Sequence, residues 1–154
     1  MTPFAPPTEP MADSYETAPI TLPVLPVKKP RRNLRSAKAA GSSFERSIAD
    51  WLKHRLFDGN LEIDRRVKRG ANDMGDISGV RTIRGSDVVI EAKNYGGQFK
   101  VGPWLDETER ERGNADADIG VVIAKKRGTT DPAEQVVFMT AETFATLLEG
   151  GSGL

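Results

Sequence analysis

Residues 76–93 decide the fold, and they read DISGVRTIRGSDVVIEAK. The apolar run at 88–90 predicts a buried strand, but Glu91 and Lys93 follow it directly. Because side chains two residues apart project from the same face of a strand, this carboxylate and this ammonium point together. A buried charged pair is costly unless it has a partner, and the upstream carboxylate of Asp76 makes a metal ion the natural partner.

The spacing of the two carboxylates predicts a β-hairpin in a particular register. For one ion to contact both Asp76 and Glu91, they must lie roughly opposite each other on neighbouring strands about 4.8 Å apart. That pairing places the loop near 82–85, with Gly85 free to adopt a positive φ. A tighter turn after Gly85 would instead pair Val80 with Glu91 and leave Asp76 roughly 13 Å away along the strand. The sequence leaves both registers open.

The pattern of Asp76, fourteen residues, then Glu91-Ala92-Lys93 resembles the motif of PD-(D/E)xK nucleases. Glu45, on the helix predicted before it, matches the additional carboxylate of the Holliday junction resolvases, and the phage-borne resolvases related to the archaeal type are the most similar branch. The resemblance covers roughly residues 42–140. Gly75 stands where the family often has a proline, at a position without a chemical role.

The resemblance implies an α/β fold with a restriction-endonuclease-like αβββαβ core, in which a mixed sheet is flanked by helices. It also implies a Mg²⁺-dependent endodeoxyribonuclease, with Mn²⁺ as a substitute, that resolves four-way junctions as a homodimer on branched DNA. The implied catalytic residues are Glu45, Asp76, Glu91 and Lys93. The implied metal ligands are Asp76, Glu91, Glu45 and the carbonyl of Ala92.

These residue types suit phosphodiester hydrolysis. Oxygen ligands select hard cations, and Mg²⁺ takes only one or two protein carboxylates while it retains water. Lys93 could orient the attacking water or stabilise the charge of the transition state. Two alternatives stay open: another nuclease with the same core, in repair, restriction or exonucleolytic digestion, and a DNA-binding module without catalysis. An inert ion pair would explain the same charges without any activity.

Apolar residues at helical spacing predict a helix from Ser42 to Phe57. Its first residues have the form of a capping box, with Ser42 as the N-cap and Glu45 at the third helical position. Glu45 could therefore bond to the backbone of Ser42 rather than to a metal, although it lies on the inner edge of the helix.

The chain after the hairpin predicts a helix that Pro103 opens and that runs to about 114. Trp104 marks its inner side, together with Leu105 and Thr108, and Trp104 is the expected anchor of a dimer interface. The charged residues Glu107, Glu109, Arg110, Glu111 and Arg112 are expected to face mainly outward. A buried parallel strand at 119–124, a short strand at 135–139 and a helix at 141–149 complete the fold.

One cluster of basic residues lies at the end of the first predicted strand, 61–68, and a second follows the strand at 119–124. Side chains in such positions beside a phosphodiesterase site are expected to hold the DNA backbone. The expected DNA contacts are Arg65, Arg66, Lys68 and Arg69, then Lys125, Lys126 and Arg127, and in the basic run Lys28, Lys29, Arg31 and Arg32. Asp73 competes as a metal ligand but is expected to be a turn residue.

The domain organisation follows from composition. Residues 1–40 hold eight of the ten prolines and predict a disordered leader with a basic run at 28–38. Residues 41–150 form the predicted nuclease domain, and 151–154 a flexible C-terminus. The net charge of zero argues against a uniformly basic DNA coat.

Cysteine is absent, which excludes disulfides and thiolate metal sites and suits a reducing cytoplasm. No apolar run approaches the roughly 20 residues that span a bilayer, and the N-terminus lacks the features of a signal peptide. We therefore expect a cytoplasmic protein, in the host cell cytoplasm if phage-encoded, with no membrane partner and no small-molecule cofactor.

Overall fold

The computed structural model describes residues 33–56, 62–66 and 70–151. The helices and strands within these ranges are α1 Leu34–Arg55, β1 Asp64–Arg65, β2 Ile77–Ser78, β3 Val88–Lys93, α2 Val101–Asn114, β4 Ile119–Ala124, β5 Val136–Phe138 and α3 Ala141–Glu149. The predicted order, αβββαβ followed by a short strand and a helix, is confirmed. The DNA contacts predicted at Lys28, Lys29, Arg31, Arg32, Lys68 and Arg69 lie outside the described residues.

The described strands form one open five-stranded sheet in the order β1-β2-β3-β4-β5. β3 and β4 pair in parallel, and the other neighbours pair antiparallel. A parallel pair needs a crossover connection, which α2 provides. The chain is thus an α/β protein with a mixed sheet.

Strand alternation divides β3 and β4 between two cores. Ile90 and Ala92 join the larger core, which α1 covers with Phe44, Ile48, Ala49 and Leu52. The alternate residues of β3, including Glu91 and Lys93, face the other side, where α2 packs Trp104 on β4. Gly120 allows this close packing, because a Cβ there would lie 3.1 Å from Cγ2 of Thr108.

The β2–β3 hairpin brings Asp76 beside the segment of β3 that carries Glu91, since the Asp76 side chain accepts a hydrogen bond from the Ala92 N–H. Ile77 pairs with Ile90, and the Val88 N–H donates to the Val80 carbonyl, which excludes the register with Val80 opposite Glu91. The predicted loop is also confirmed, since the Gly85 N–H donates to the Thr82 carbonyl at 3.0 Å and Gly85 has a φ of 92°.

The start of α1 differs from the prediction. Asn33 is the N-cap, and its side chain accepts a hydrogen bond from the Ser36 N–H at 2.7 Å. Ser42 lies inside the helix, so the capping box predicted for Ser42 and Glu45 is wrong. The helix extends upstream because the last proline of the leader is Pro30 and alanine-rich sequence, favourable to helix, follows it. Residues 34–40, predicted as leader, are therefore helical.

The other boundaries shift by smaller amounts. The predicted strand at 61–68 is shorter in the described residues, where β1 spans Asp64–Arg65, and α2 begins at Val101, two residues before Pro103. At the C-terminal end, Gly150 and Gly151 are buried, and the Thr82 hydroxyl donates to the Gly150 carbonyl at 2.6 Å. None of the helices in the described ranges is both long and apolar enough to cross a membrane.

Candidate metal centre

β3 carries Glu91 and Lys93 into the interior beneath α2, with only 4% and 7% of each residue exposed. Lys93 Nζ donates to Oε1 of Glu91 at 2.6 Å and to Oε2 of Glu107 at 2.6 Å. The ammonium therefore links the central strand to the covering helix. Such a buried arrangement is tolerated only when each charge has a partner.

Helix α2 brings two carboxylates, Glu107 and Glu111, to the sheet, although the sequence predicted that both face outward. Trp104, Thr108 and Glu111 are all buried and follow one stripe of the helix. Glu107, one turn before Glu111, reaches Lys93. The prediction that Glu107 and Glu111 face outward is therefore wrong.

A signal for this face was present in the sequence. The stripe that starts at Trp104 and Thr108 reaches position 111 after one further turn, so helical spacing alone points Glu111 inward. Glu109 lies off this stripe and forms an exposed ion pair with Arg112 at 2.5 Å, as predicted for the outer face.

Glu91, Glu107 and Glu111 form a carboxylate cluster that could hold a metal ion. Each offers one oxygen, and the three oxygens lie within 4.8 Å of one another. Oε2 of Glu111 is buried and has no hydrogen-bond partner among the described residues. A set of carboxylate oxygens with one unsatisfied member fits a hard divalent cation.

The pKa values of the cluster are shifted because its carboxylates are buried close to one another. Burial, and after it the nearby charge of Asp76, raise the pKa of Glu91 to about 9. Burial likewise raises the pKa of Glu111, although its hydrogen bond with Glu91 acts in the opposite direction. Burial alone would lower the pKa of Lys93, but its bonds to Glu107 and Glu91 outweigh burial and raise it. Lys93 is therefore an ammonium at neutral pH.

Asp76 is buried directly before β2 and lies near Glu91. Its Oδ2 accepts a hydrogen bond from the Ala92 N–H at 2.9 Å, and its own N–H donates to the Ile90 carbonyl at 2.9 Å. The Asp76 side chain thus continues the β2–β3 pairing beyond the last paired residue. The Ala92 carbonyl as a metal ligand stays a prediction.

Glu45 lies elsewhere in the fold. It is buried on α1, which covers the sheet face opposite to Glu91, and its Oε2 is 2.8 Å from Nε of Arg65. This contact is an ion pair rather than an aligned hydrogen bond. In the structure Lys93 contacts Glu91 and Glu107, Glu111 joins these two carboxylates, and Asp76 lies beside them on the neighbouring strand, while Glu45 pairs with Arg65.

A solvent cavity borders the α2 side of the cluster. The cavity has a volume of about 570 Å³ and is lined by Gly70, Asp73, Glu107, Arg110, Glu111, Gly113 and Asn114. Asp73 accepts the Met74 N–H through its side chain at 3.2 Å, which agrees with the turn role predicted for it.

Two further cavities carry the predicted DNA contacts. A groove of about 440 Å³ lies where the parallel strands β3 and β4 end, and it is lined by Ala37, Asn94, Tyr95, Gly96, Lys125, Lys126, Arg127 and Gly128. Arg65 and Arg66 line another cavity of about 450 Å³ together with Asp73. The described members of the predicted basic clusters therefore border cavities.

Comparisons with protein-family models, with curated proteins and with solved structures find no match to this chain. The fold and the site together define an α/β protein with a mixed five-stranded sheet and a carboxylate cluster that could hold a metal ion.

Proposed function

We propose that this protein is a metal-dependent endonuclease that hydrolyses phosphodiester bonds in DNA, with Mg²⁺ as its cofactor and Mn²⁺ as a substitute. The observation that carries the proposal is that the buried Asp76 side chain is bonded to the backbone of Ala92, next to Glu91, with Lys93 two residues beyond Glu91 on the same buried face of β3. A core without a function would not need these charges, since apolar residues there would be as stable or more so.

The proposed core is of the restriction-endonuclease type. The order of elements from α1 to β4, the antiparallel hairpin and the parallel crossover through α2 support this assignment. It places the hairpin at the centre of the site and α2 over it.

The residues of the chain have separate tasks in the proposed reaction. Asp76 and Glu91 supply oxygen ligands from two neighbouring strands. When bound, the divalent cation neutralises phosphate charge and lowers the pKa of the attacking water. Because its pKa is raised, Lys93 stays protonated and acts as a fixed positive charge for the transition state rather than as a general base. Glu107 holds this ammonium in place.

Four-way junction DNA is the proposed substrate. The groove that contains Lys125, Lys126 and Arg127 lies at the end of β3, the strand that carries Lys93. These side chains would contact the phosphate backbone and follow the shape of the DNA rather than its sequence. Tyr95 borders the same groove and is half exposed.

A homodimer is proposed because a junction presents two equivalent phosphates and each chain has one candidate site. Trp104 is only 4% exposed and cannot anchor the interface as predicted. The apolar side chains Phe144 and Leu148 on α3 and Val137 on β5 are exposed and are better candidates.

One observation favours the alternative of a DNA-binding module without catalysis. Lys93 already provides a cation to both Glu91 and Glu107, so the cluster could serve as an internal ion network. Cleavage assays separate the two functions.

The test is cleavage of a synthetic four-way junction beside linear duplex and flap DNA of the same sequence, with Mg²⁺ or with EDTA. We expect Mg²⁺-dependent paired cuts in the junction. Equal cleavage of linear duplex would move the assignment to a general nuclease. Binding of the junction without any cleavage in Mg²⁺ or Mn²⁺ would support the DNA-binding module.

A further inference from the structure

Glu111 occupies a position that packing does not explain. It is 7% exposed, on the stripe of α2 that Trp104 and Thr108 use to contact the sheet. Its Oε2 lacks a hydrogen-bond partner within the described part of the chain. Burying a polar atom without a partner costs free energy, so a buried, unsatisfied carboxylate oxygen beside other carboxylates points to a cationic ligand.

The other carboxylates of the region are already engaged. Oε2 of Glu107 accepts from Lys93 at 2.6 Å. Oε2 of Glu45 pairs with Arg65 at 2.8 Å on the opposite side of the sheet. Oδ2 of Asp76 accepts the Ala92 N–H. Of these carboxylates, Glu111 combines burial with an unsatisfied oxygen and with proximity to Glu91.

We propose that Glu111 is a ligand of the divalent cation, together with Glu91, so that helix α2 supplies the third carboxylate that the nuclease resemblance assigned to Glu45. This inference deepens the proposed function, because it names a ligand of the same metal ion. Charge balance supports it, since Lys93 is already paired with Glu91 and Glu107, and Glu111 adds a further carboxylate to the cluster that a divalent cation would neutralise.

The test uses the full chain and metal alone, without DNA. Titration calorimetry with Mn²⁺ and with Mg²⁺ gives the affinity of the wild type and of three variants. Glu111→Gln should weaken binding by about tenfold or more. Asp106→Asn removes an exposed carboxylate on the same helix and should leave the affinity within about twofold. Glu45→Gln should leave the affinity within the same range, although it breaks the pair with Arg65 and lowers the melting temperature.

A melting experiment distinguishes a metal ligand from a structural carboxylate. In EDTA, Glu111→Gln should melt at the wild-type temperature or above it, because the unsatisfied charge is removed. When Mn²⁺ is added, the melting temperature of Glu111→Gln should rise by less than that of the wild type. Unchanged affinity in Glu111→Gln, a lower melting temperature in EDTA, failure of this variant to fold, or no metal binding by the wild type would each overturn the inference.

The outcome is independent of the nuclease assignment. Loss of metal affinity in Glu111→Gln with no cleavage by the wild type leaves the ligand in place and removes the proposed function. Cleavage by the wild type with unchanged metal affinity in Glu111→Gln removes Glu111 as a ligand and leaves the proposed function in place.

Discussion

Nζ of Lys93 lies 2.6 Å from Oε2 of Glu107, which fastens the end of β3 to the second turn of α2. The same ammonium donates to Glu91 at 2.6 Å, so its position is determined from two elements. A cation held in this way is preorganised, which is the condition under which a fixed charge stabilises a transition state most effectively.

Glu107→Gln tests this positioning role. The amide oxygen can still accept from Lys93, but the charge that holds the ammonium is lost, so we expect kcat to fall about three- to thirtyfold with KM nearly unchanged. Lys93→Ala should lower kcat about a hundredfold or more. Steady-state cleavage of a junction substrate measures both values. Equal rates for Glu107→Gln and wild type would show that Glu107 does not position Lys93.

Asp76 combines a structural and a proposed chemical role, and two substitutions separate them. Asp76→Asn keeps an oxygen that can accept the Ala92 N–H but removes the charge, so we expect a folded protein with cleavage lost. Asp76→Ala also removes the acceptor and should cost a further 1–3 kcal/mol of unfolding free energy, roughly the cost of an unsatisfied buried group. Urea unfolding and cleavage are measured on both variants. Wild-type cleavage by Asp76→Asn would remove the residue from the chemistry.

The stability of the metal-free protein should fall as the pH rises. The pKa of Glu91 is about 9 in the folded protein and near 4.5 when unfolded, so the folded state binds more protons between these values. Unfolding free energy therefore decreases from about pH 5 to about pH 9. The raised pKa of Lys93 contributes little here, because its stabilisation is complete below its unfolded value of 10.5.

Urea unfolding in EDTA at several pH values measures this slope. Glu91→Gln cannot titrate and serves as the control, in which most of the slope should vanish. Stability that rises over the same range would contradict the buried, protonated state of Glu91.

The part of the basic run at 28–32, which precedes α1, should contribute to DNA affinity without supporting the fold. Deletion of residues 1–32 preserves the Asn33 cap and removes Lys28, Lys29, Arg31 and Arg32. We expect unchanged unfolding free energy and a flatter dependence of binding on salt, by up to about 0.9 in log–log slope for each phosphate that the run neutralises. Deletion through residue 38 should also destabilise α1 by about 1 kcal/mol through removal of the cap. A salt slope equal to that of the full chain would show that the run does not bind phosphate.

Residue spacing along the chain was sufficient to predict the order of the helices and strands and the shared face of Glu91 and Lys93. The two-residue period of a strand puts Glu91 and Lys93 on one face whatever surrounds them, and the apolar periodicities reveal the order of helices and strands. The hairpin loop followed from Gly85, since a positive φ is accessible to glycine at little cost. These features depend on neighbours along the chain, and the sequence by itself determined them.

Tertiary packing decided the composition of the site. The sequence left two hairpin registers open, since both keep the same side chains on the same face, and the structure has the one that pairs Ile77 with Ile90. Trp104 packs on β4 and Gly120 permits the close approach of α2, and this docking brings the inward-facing Glu111 to Glu91. Glu45 is engaged by Arg65, a residue of β1 that packing brings to α1. Such contacts join residues far apart in the chain, and their free energies depend on distances and burial that a local pattern does not contain.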